Sequence, residues 1–443
     1  MILDVIDMLP GSGKTQGMNM YLSQTKDPFI YLTPYNEEVD NIQAKLNRNS
    51  WTDIQQLASK SGLYREDEII GPRTPSVPDS LFTKSRSMMR QIQKGKCIAC
   101  THELFRRLCL IKSFWTLLEG KGYTLIIDEE LPLTRDYQFS RCTFRDMKFY
   151  LMRPFEGEEP IVSVEEDGLL NWNSKARDAG NGAFHRLKKD IRSNCLCLEG
   201  GRVKWRIPLQ NFAVFSKVYL MTYRFEGSIF HRRWESVMGA DSIRYCHFED
   251  NDIVEGKWQI PQERVDNLRR RLKIAGPSAY PNDVGKAGHY SYSMEWYKSA
   301  TRADFESLVK KMQYFIRKGA AGKRLDRKKI LWTTFKAYRE IIEELDVGND
   351  SFRPKRGDVE TFIPLNMRAS NSYLERNVVF YLVDRYVGLN EPGVDRNKLS
   401  LDELLQFLFR TCLRLPDSEE VVYAYIPSER MRRLLERWLD NPV

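Results

Sequence analysis

The sequence predicts an α/β fold: two parallel-sheet domains in tandem, with an insertion in the first. Three observations carry that expectation. A glycine-rich turn, Met8–Thr15, separates a short apolar run from a stretch able to open a helix. Apolar runs then alternate with helical periodicity, the pattern of a parallel sheet covered on both faces. A mixed stretch over about 132–210 breaks the alternation, which returns in a second unit from about residue 240. The domains read as 1–239 and 240–443.

In order, the first strand is Ile2–Asp7 and the helix after the turn starts near Gln16. Phe29–Leu32, Lys96–Thr101, Tyr123–Ile127 and Val218–Met221 read as further strands, with helices over Glu37–Leu46 and His102–Leu110 between them. Residues 64–80, with Pro72, Pro75 and Pro78, read as an irregular excursion. Within the insertion, Ile161–Val164 and Arg202–Trp205 suggest a small β element. The second unit offers strands at Ser242–Tyr245, Ile330–Thr334, Glu360–Ile363 and Val421–Tyr425. Its predicted helices are Phe305–Phe315, Tyr338–Leu345, Tyr373–Tyr386, Leu401–Leu413 and a last one from Glu429.

At 443 residues, with 42% hydrophobic content and nine tryptophans, the chain has ample core for two or three domains. A formal charge of +9 favours an anionic partner, nucleic acid first. No apolar run is long enough to span a membrane, and Asp4 and Asp7 do not suit a signal peptide. A cytoplasmic protein is expected, in the host cytoplasm if phage-encoded. Cys97, Cys100 and His102, with Cys195 and Cys197, are imaginable zinc ligands. Their wide separation and strand-like setting favour reduced, buried thiols instead.

The turn carries the clearest chemistry. Gly11 and Gly13 let the backbone of Gly11-Ser12-Gly13 curl so that its N–H groups converge on an anion, and the helix N-terminus adds positive potential. Lys14 would reach the β- and γ-phosphates of ATP, and the Thr15 hydroxyl would ligate Mg²⁺. Met8 stands where the general phosphate-loop pattern has its first glycine. Asp128 and Glu129 end an apolar strand, where one carboxylate holds Mg²⁺ and the other orients and deprotonates water. Glu130 next to them reads as exposed. Gln406, Arg410 and Arg414 recur every four residues, within about 80° on one helical face. Cations on an otherwise apolar helix call for a buried anion, which a γ-phosphate or a structural salt-bridge network would supply.

Met8–Thr15 resembles helicase motif I, and Asp128-Glu129-Glu130-Leu131 resembles the motif II box. Tyr31-Leu32-Thr33-Pro34 is similar to motif Ia, and Thr101-His102 stands where motif Ib or Ic lies. Leu220-Met221-Thr222 falls at motif III, Trp332–Phe335 at IV, Asn366–Asn371 at V and Gln406-x-x-x-Arg410 at VI. Their order resembles superfamily 2 DEAD/DEAH-like helicases of a compact phage type. The resemblance implies two RecA-like domains, ATP hydrolysis in the cleft between them, and helicase or translocase activity on nucleic acid, DNA favoured over RNA. It implies coupling through Thr222 and nucleic-acid contacts at Thr33, Thr101, Thr334 and Asn371. The finger that neutralises transition-state charge is Arg410 or Arg414, because Leu413 stands where the usual last arginine falls.

Two other readings stand beside this one: a terminase-like packaging ATPase, and a helicase-shaped binding module without unwinding. The first would need clustered acids at strand ends after residue 330, which the sequence does not display. Basic runs at Arg269–Lys273 and Lys323–Lys329 offer electrostatic attraction or simply solvated faces. In the insertion, Trp172, Lys175, Arg177, Arg186, Lys188, Lys189 and Trp205 suit nucleic acid or an ordinary basic surface.

Overall fold

The computed structural model describes residues 1–34, 36, 38–42, 81–154, 159–173, 182–250, 252–276, 279, 291–319, 324–346, 351–353, 360–365, 373–385 and 395–442. The chain divides into two units, one of Met1–Asp7 with Lys14–Trp258, the other of Met8–Gly13 with Gln259–Val443. Among the described residues no helix is long and apolar enough to cross a membrane.

Strands of the first unit, in chain order, begin with β1 Leu3–Asp7, β2 Phe29–Thr33, β3 Ile98–Thr101 and β4 Thr124–Asp128. The insertion adds β5 Thr134–Asp136, β6 Val162–Val164, β7 Leu170–Trp172, β8 Leu196–Glu199 and β9 Arg202–Arg206. Then come β10 Lys217–Thr222, β11 Ile243–Glu249 and β12 Asp252–Glu255. Seven of them form one sheet in the order β12-β11-β1-β10-β4-β2-β3. All its pairings are parallel except β11 with β12. Its central strands are apolar throughout because both faces are covered; Leu125, Ile126 and Ile127 are each 0% exposed. Asp4 is the exception in β1, and Arg244 explains it by donating two hydrogen bonds, at 2.5 and 3.0 Å.

That pair belongs to a finding about the boundary. The run Ser242–Tyr245, placed in the second unit by sequence, forms β11 and pairs with β1 through Leu3–Ile243 and Val5–Tyr245. The first sheet therefore extends past residue 240. The insertion folds on its own terms: β5, β9 and β8 make an antiparallel sheet, and β6 and β7 a hairpin. Met147, Leu151, Leu170, Leu187, Ile191 and Leu196 form its core.

In the second unit β13 Leu272–Ile274, β14 Ile330–Thr333, β15 Val378–Tyr381 and β16 Val422–Tyr425 form a wholly parallel sheet, ordered β13-β16-β15-β14. Over the described residues 373–385 of the expected helix Tyr373–Tyr386, the chain forms β15 instead. Val378, Val379, Phe380 and Tyr381 are buried between β14 and β16, and a β-branched, aromatic run suits that slot better than a helix. Glu360–Ile363 contributes only a single parallel bridge, Phe362 to Trp332. The helix expected over Leu401–Leu413 runs instead from Arg396 to Leu408. Asp395 caps it by accepting from the Asn397 and Lys398 amides at 2.9 and 3.2 Å.

The basic run Arg269–Lys273 is also reassigned. Arg269 donates to the carbonyls of Leu439 and Asp440, and Arg270 forks onto Glu419 at 2.8 and 2.9 Å. Arg271 is 0% exposed. These cations hold the unit together rather than forming a bare electrostatic face. In the second basic run, of which Lys323 lies outside the described residues, Lys329 pairs with Glu420 at 2.7 Å.

Candidate functional site

β1 hands directly into the glycine turn, and the helix Lys14–Gln24 starts on the lysine itself. Gly11 and Gly13 have φ of +86° and +91°, the left-handed region that only glycine adopts without cost. A Cβ at Gly13 would meet nothing within 4 Å, so its requirement is conformational rather than steric. Ser12 closes the turn, its amide and hydroxyl both donating to the Leu9 carbonyl at 3.2 and 2.7 Å. Lys14 and Thr15 are half-buried in the first helical turn. Further along the helix Gly17 packs on Phe248, where a Cβ would approach the ring to 2.6 Å.

Asp7, the last residue of β1, does something the sequence did not announce. Its carboxylate accepts from the Arg224 amide at 2.6 Å and the Phe225 amide at 2.9 Å. It thereby ties the root of the glycine turn to the turn after β10, where Arg224 sits at φ +61°. Thr222, the last residue of β10, is buried in register with Asp7.

Asp128 ends β4, half-buried, and accepts from the Tyr31 hydroxyl at 3.2 Å. Burial, and then the Asp128 charge, push the Tyr31 hydroxyl well above its usual range, so it stays a donor. Glu129 stands at φ +62°, an uncommon conformation for a side chain of its size. Its amide still donates to Met221 of β10 at 2.9 Å, so the strain falls on the residue just after the strand. Glu130 is half-buried rather than exposed.

Register brings these pieces to one edge. Asp7 pairs with Thr222, Met221 pairs with Asp128, and all three strands run parallel. The glycine turn, the Thr222 turn and the two carboxylates thus leave the carboxyl ends of β1, β10 and β4, three neighbouring strands. In open parallel sheets that edge is where ligands bind.

In the second unit the three residues expected on one helical face part company. Gln406 is exposed in the last turn of the helix Arg396–Leu408. The chain then turns, and Thr411 reshapes it by donating to the Leu408 carbonyl at 2.6 Å and accepting from the Leu413 amide at 3.3 Å. Arg410 is 3% exposed, its guanidinium 5.7 Å from the Phe407 ring centroid. Arg414 ends a 3₁₀ turn, Cys412–Arg414, and is half-buried.

Two arginines from the helix Gln262–Arg271 fix that turn. Arg271 donates to the carbonyls of Cys412, Leu415 and Glu420 at 2.6, 2.7 and 2.9 Å, and to Asn267 at 3.2 Å. Arg264 donates to the Leu413 carbonyl at 2.7 Å. Burial and the neighbouring Arg271 charge pull the Arg264 guanidinium down to about 10. Sequence did not single out Arg264 and read Arg271 only as part of the basic run Arg269–Lys273, because their acceptors are carbonyls some 140 positions away.

Among the residues expected to grip nucleic acid, Thr33 and Thr101 end strands and Thr334 follows one. Thr33 is 0% exposed and its hydroxyl donates to Glu38 at 2.9 Å. Thr334 is 1% exposed and donates to the Tyr297 hydroxyl at 2.9 Å. Such burial commits both hydroxyls to the fold. Thr101, paired with Thr33, is half-buried and caps the helix His102–Cys109 by accepting from the Leu104 amide at 3.3 Å. Asn371, with the rest of Asn366–Asn371, lies outside the described residues, as do Lys175 and Arg177. Burial pushes the thiols of Cys97, Cys100, Cys195 and Cys197 up, which makes them poor thiolate ligands.

Comparison with known proteins gives a relative along the whole chain. It is 25% identical over 463 residues to the SPbeta prophage-derived uncharacterized protein YonV of Bacillus subtilis (strain 168), covering 99% of this chain and 98% of the relative. Among solved structures, an XPD helicase is similar at 11% identity and TM-score 0.43, with 98% of this chain and 94% of that one covered. Dbp5 of S. cerevisiae, bound to RNA and ADP BeF3, has 10% identity and TM-score 0.38, with 98% and 82% covered. The DUF1998 helicase MrfA has 10% identity and TM-score 0.37, and this chain spans 48% of its length. Residues 266–439, which fall in the second unit, match the family described as the YonV C-terminal Rossmann-like domain.

Proposed function

We propose that the protein is an ATP-driven helicase or translocase acting on nucleic acid. The observation that carries the reading is the register of the neighbouring parallel strands β1, β10 and β4, whose carboxyl ends lead in the chain into the glycine turn, the Thr222 turn and Asp128-Glu129. Bound ATP with Mg²⁺ would supply a hydrolysable phosphoanhydride and a counter-charge to its phosphates. Gly11, Ser12 and Gly13 would offer their amides to the phosphates, and Lys14 its ammonium. Thr15 and Asp128 would hold the metal. Glu129, whose backbone is left-handed, would orient water and accept its proton. Asp7 would relay the state of this edge to Thr222 through the amides of Arg224 and Phe225. Gln406, Arg410 and Arg414 are the second unit's candidates for sensing and neutralising the γ-phosphate. The burial of Arg410 favours Arg414 as the finger. Of Thr33, Thr101 and Thr334, only Thr101 is not fully buried, which favours it as a nucleic-acid contact.

A packaging nuclease in the second unit has no support at β15. Asp384 there is taken up by Ser428 at 2.8 Å and by Arg430 at 2.6 and 2.9 Å. The deciding experiment is phosphate release from ATP with single- and double-stranded DNA and RNA as stimulants. Stimulation by any of them, lost in Lys14→Ala, is expected. A folded protein that neither hydrolyses ATP nor binds nucleic acid would falsify the reading.

A further inference from the structure

We propose that the outer face of the helix Arg302–Lys318 in the second unit, with Arg324 beside its end, grips the phosphate backbone of nucleic acid; this rests on the reading that the protein acts on nucleic acid. Thr301 and Asp304 cap the helix reciprocally, with Asp304 accepting from the Thr301 amide and hydroxyl, each at 2.7 Å. Phe305, Leu308, Val309, Met312, Phe315 and Ile316 bury one face in the core of the unit. With that face fixed, a rotation of about 100° per residue sets Lys310, Tyr314 and Arg317 opposite it, within about 60° of one another. All three are exposed, as is Lys318. The chain then returns: the Leu325 amide donates to the Ile316 carbonyl at 2.9 Å, which sets the exposed Arg324 beside the helix end.

Charge decides what this face fits. Between Glu306 and Asp326 the chain has six cations and no carboxylate. Among the described residues, the side chains of Lys310, Arg317, Lys318 and Arg324 make no ion pair, hydrogen bond or ring contact. The flanking acids are committed elsewhere. Glu306, one turn before Lys310, pairs with Arg302 at 3.5 Å, and Asp326 accepts from the Lys328 amide at 2.9 Å. The helix Arg339–Leu345 brings further acids, but along the flank where Gln313 donates to Asp346 at 2.9 Å. The helix dipole accounts for Arg317 and Lys318, because its field fades within the last turn. It does not account for Lys310, two turns before the end, or for Arg324, beyond it. Like charges gathered without a counter-charge repel one another, so the arrangement fits a polyanion supplied from outside. Lys310 to Arg317 spans about 10 Å of helix, the axial length of about three phosphates on one duplex strand. Tyr314, 47% exposed between them, has a hydroxyl able to donate to a phosphate oxygen.

The test uses the full chain carrying Lys310→Gln with Arg317→Gln, and measures by fluorescence anisotropy how its affinity for labelled DNA and RNA oligonucleotides depends on salt. The expected result is a salt slope lower than that of wild type by about two, on every base sequence tried, with the thermal midpoint unchanged. Lys26→Gln with Lys94→Gln, at two exposed lysines of the first unit, removes the same charge elsewhere and should leave the slope as in wild type. Lys310→Arg with Arg317→Lys, which keeps both charges, should bind as wild type does. An unchanged slope in the Lys310→Gln, Arg317→Gln variant, where wild type binds, overturns the phosphate-gripping face and leaves the helicase reading standing. An equal fall in the first-unit control also overturns it, since net charge alone would then account for the effect. If wild type binds no nucleic acid, the functional reading falls first and the face with it.

Discussion

The carboxyl edge of the first sheet and the segment Gln406–Leu415 of the second unit carry candidate residues for one reaction, yet they hold them by opposite means. At the first edge the geometry is written into the backbone of the functional residues themselves. Gly11, Gly13 and Glu129 occupy left-handed conformations, and each lies within a few positions of a strand end. In the second unit the functional segment has little local reason for its shape. Its 3₁₀ turn is clamped by Arg271 and Arg264, reaching from another helix to its carbonyls. The backbone of the glycine turn is thus specified by its own residues, whereas the Cys412–Arg414 turn depends on side chains from another helix. Substitutions can separate the two cases.

The largest effect is expected at the first edge. Lys14→Ala should lower ATP turnover by about a thousandfold, with thermal stability and nucleic-acid binding close to wild type. Steady-state phosphate release beside a thermal melt checks both halves. Normal turnover in a folded variant would remove the nucleotide site from that edge.

Glu129 sharpens the comparison because it carries both chemistry and strain. Glu129→Gln should lose about a hundredfold in turnover yet retain ATP binding, measured with a fluorescent nucleotide analogue. Glu129→Gly should be equally inactive but about 1 kcal/mol more stable, since glycine accepts the left-handed backbone. A less stable glycine variant would mean that the side chain, not the fold around it, holds that conformation.

The second region should fail through stability. Arg271→Met orphans the carbonyls of Cys412, Leu415 and Glu420 and should cost about 3 kcal/mol or more in denaturant unfolding. Arg414→Ala, on the turn being held, should change stability by less than about 0.5 kcal/mol while reducing turnover. If the two variants behave alike, the clamp and the finger are not separable in the way the hydrogen bonds suggest.

The smallest effect concerns the insertion. Lys189 is exposed and Lys188 lies 5.5 Å from the Trp172 ring centroid. Reversing charge at both, Lys188→Glu with Lys189→Glu, should lower the salt slope of nucleic-acid binding by about two, leaving basal ATPase intact. Unchanged binding and an unchanged slope would assign the insertion to protein contacts or to structure.

What the sequence determined alone follows from short-range physics. Glycine at left-handed positions, a helix opening just after the turn, and a uniform apolar strand ending in Asp128-Glu129 are each visible within a few residues. So were the α/β class, the five main parallel strands of the first sheet and the interruption by the insertion. Tertiary structure decided the remainder. Val378–Tyr381 carries helix-compatible neighbours, and only burial between two strands makes it β15. Ser242–Tyr245 joined the first sheet because β1 offered it a partner, which no local signal encodes. The arrangement of Gln406, Arg410 and Arg414 depended on where the helix stops, and Thr411 with the distant Arg264 and Arg271 settled that. Local conformational cost can be read from a residue and its neighbours. A hydrogen bond to a carbonyl more than a hundred residues away exists only once the chain has folded.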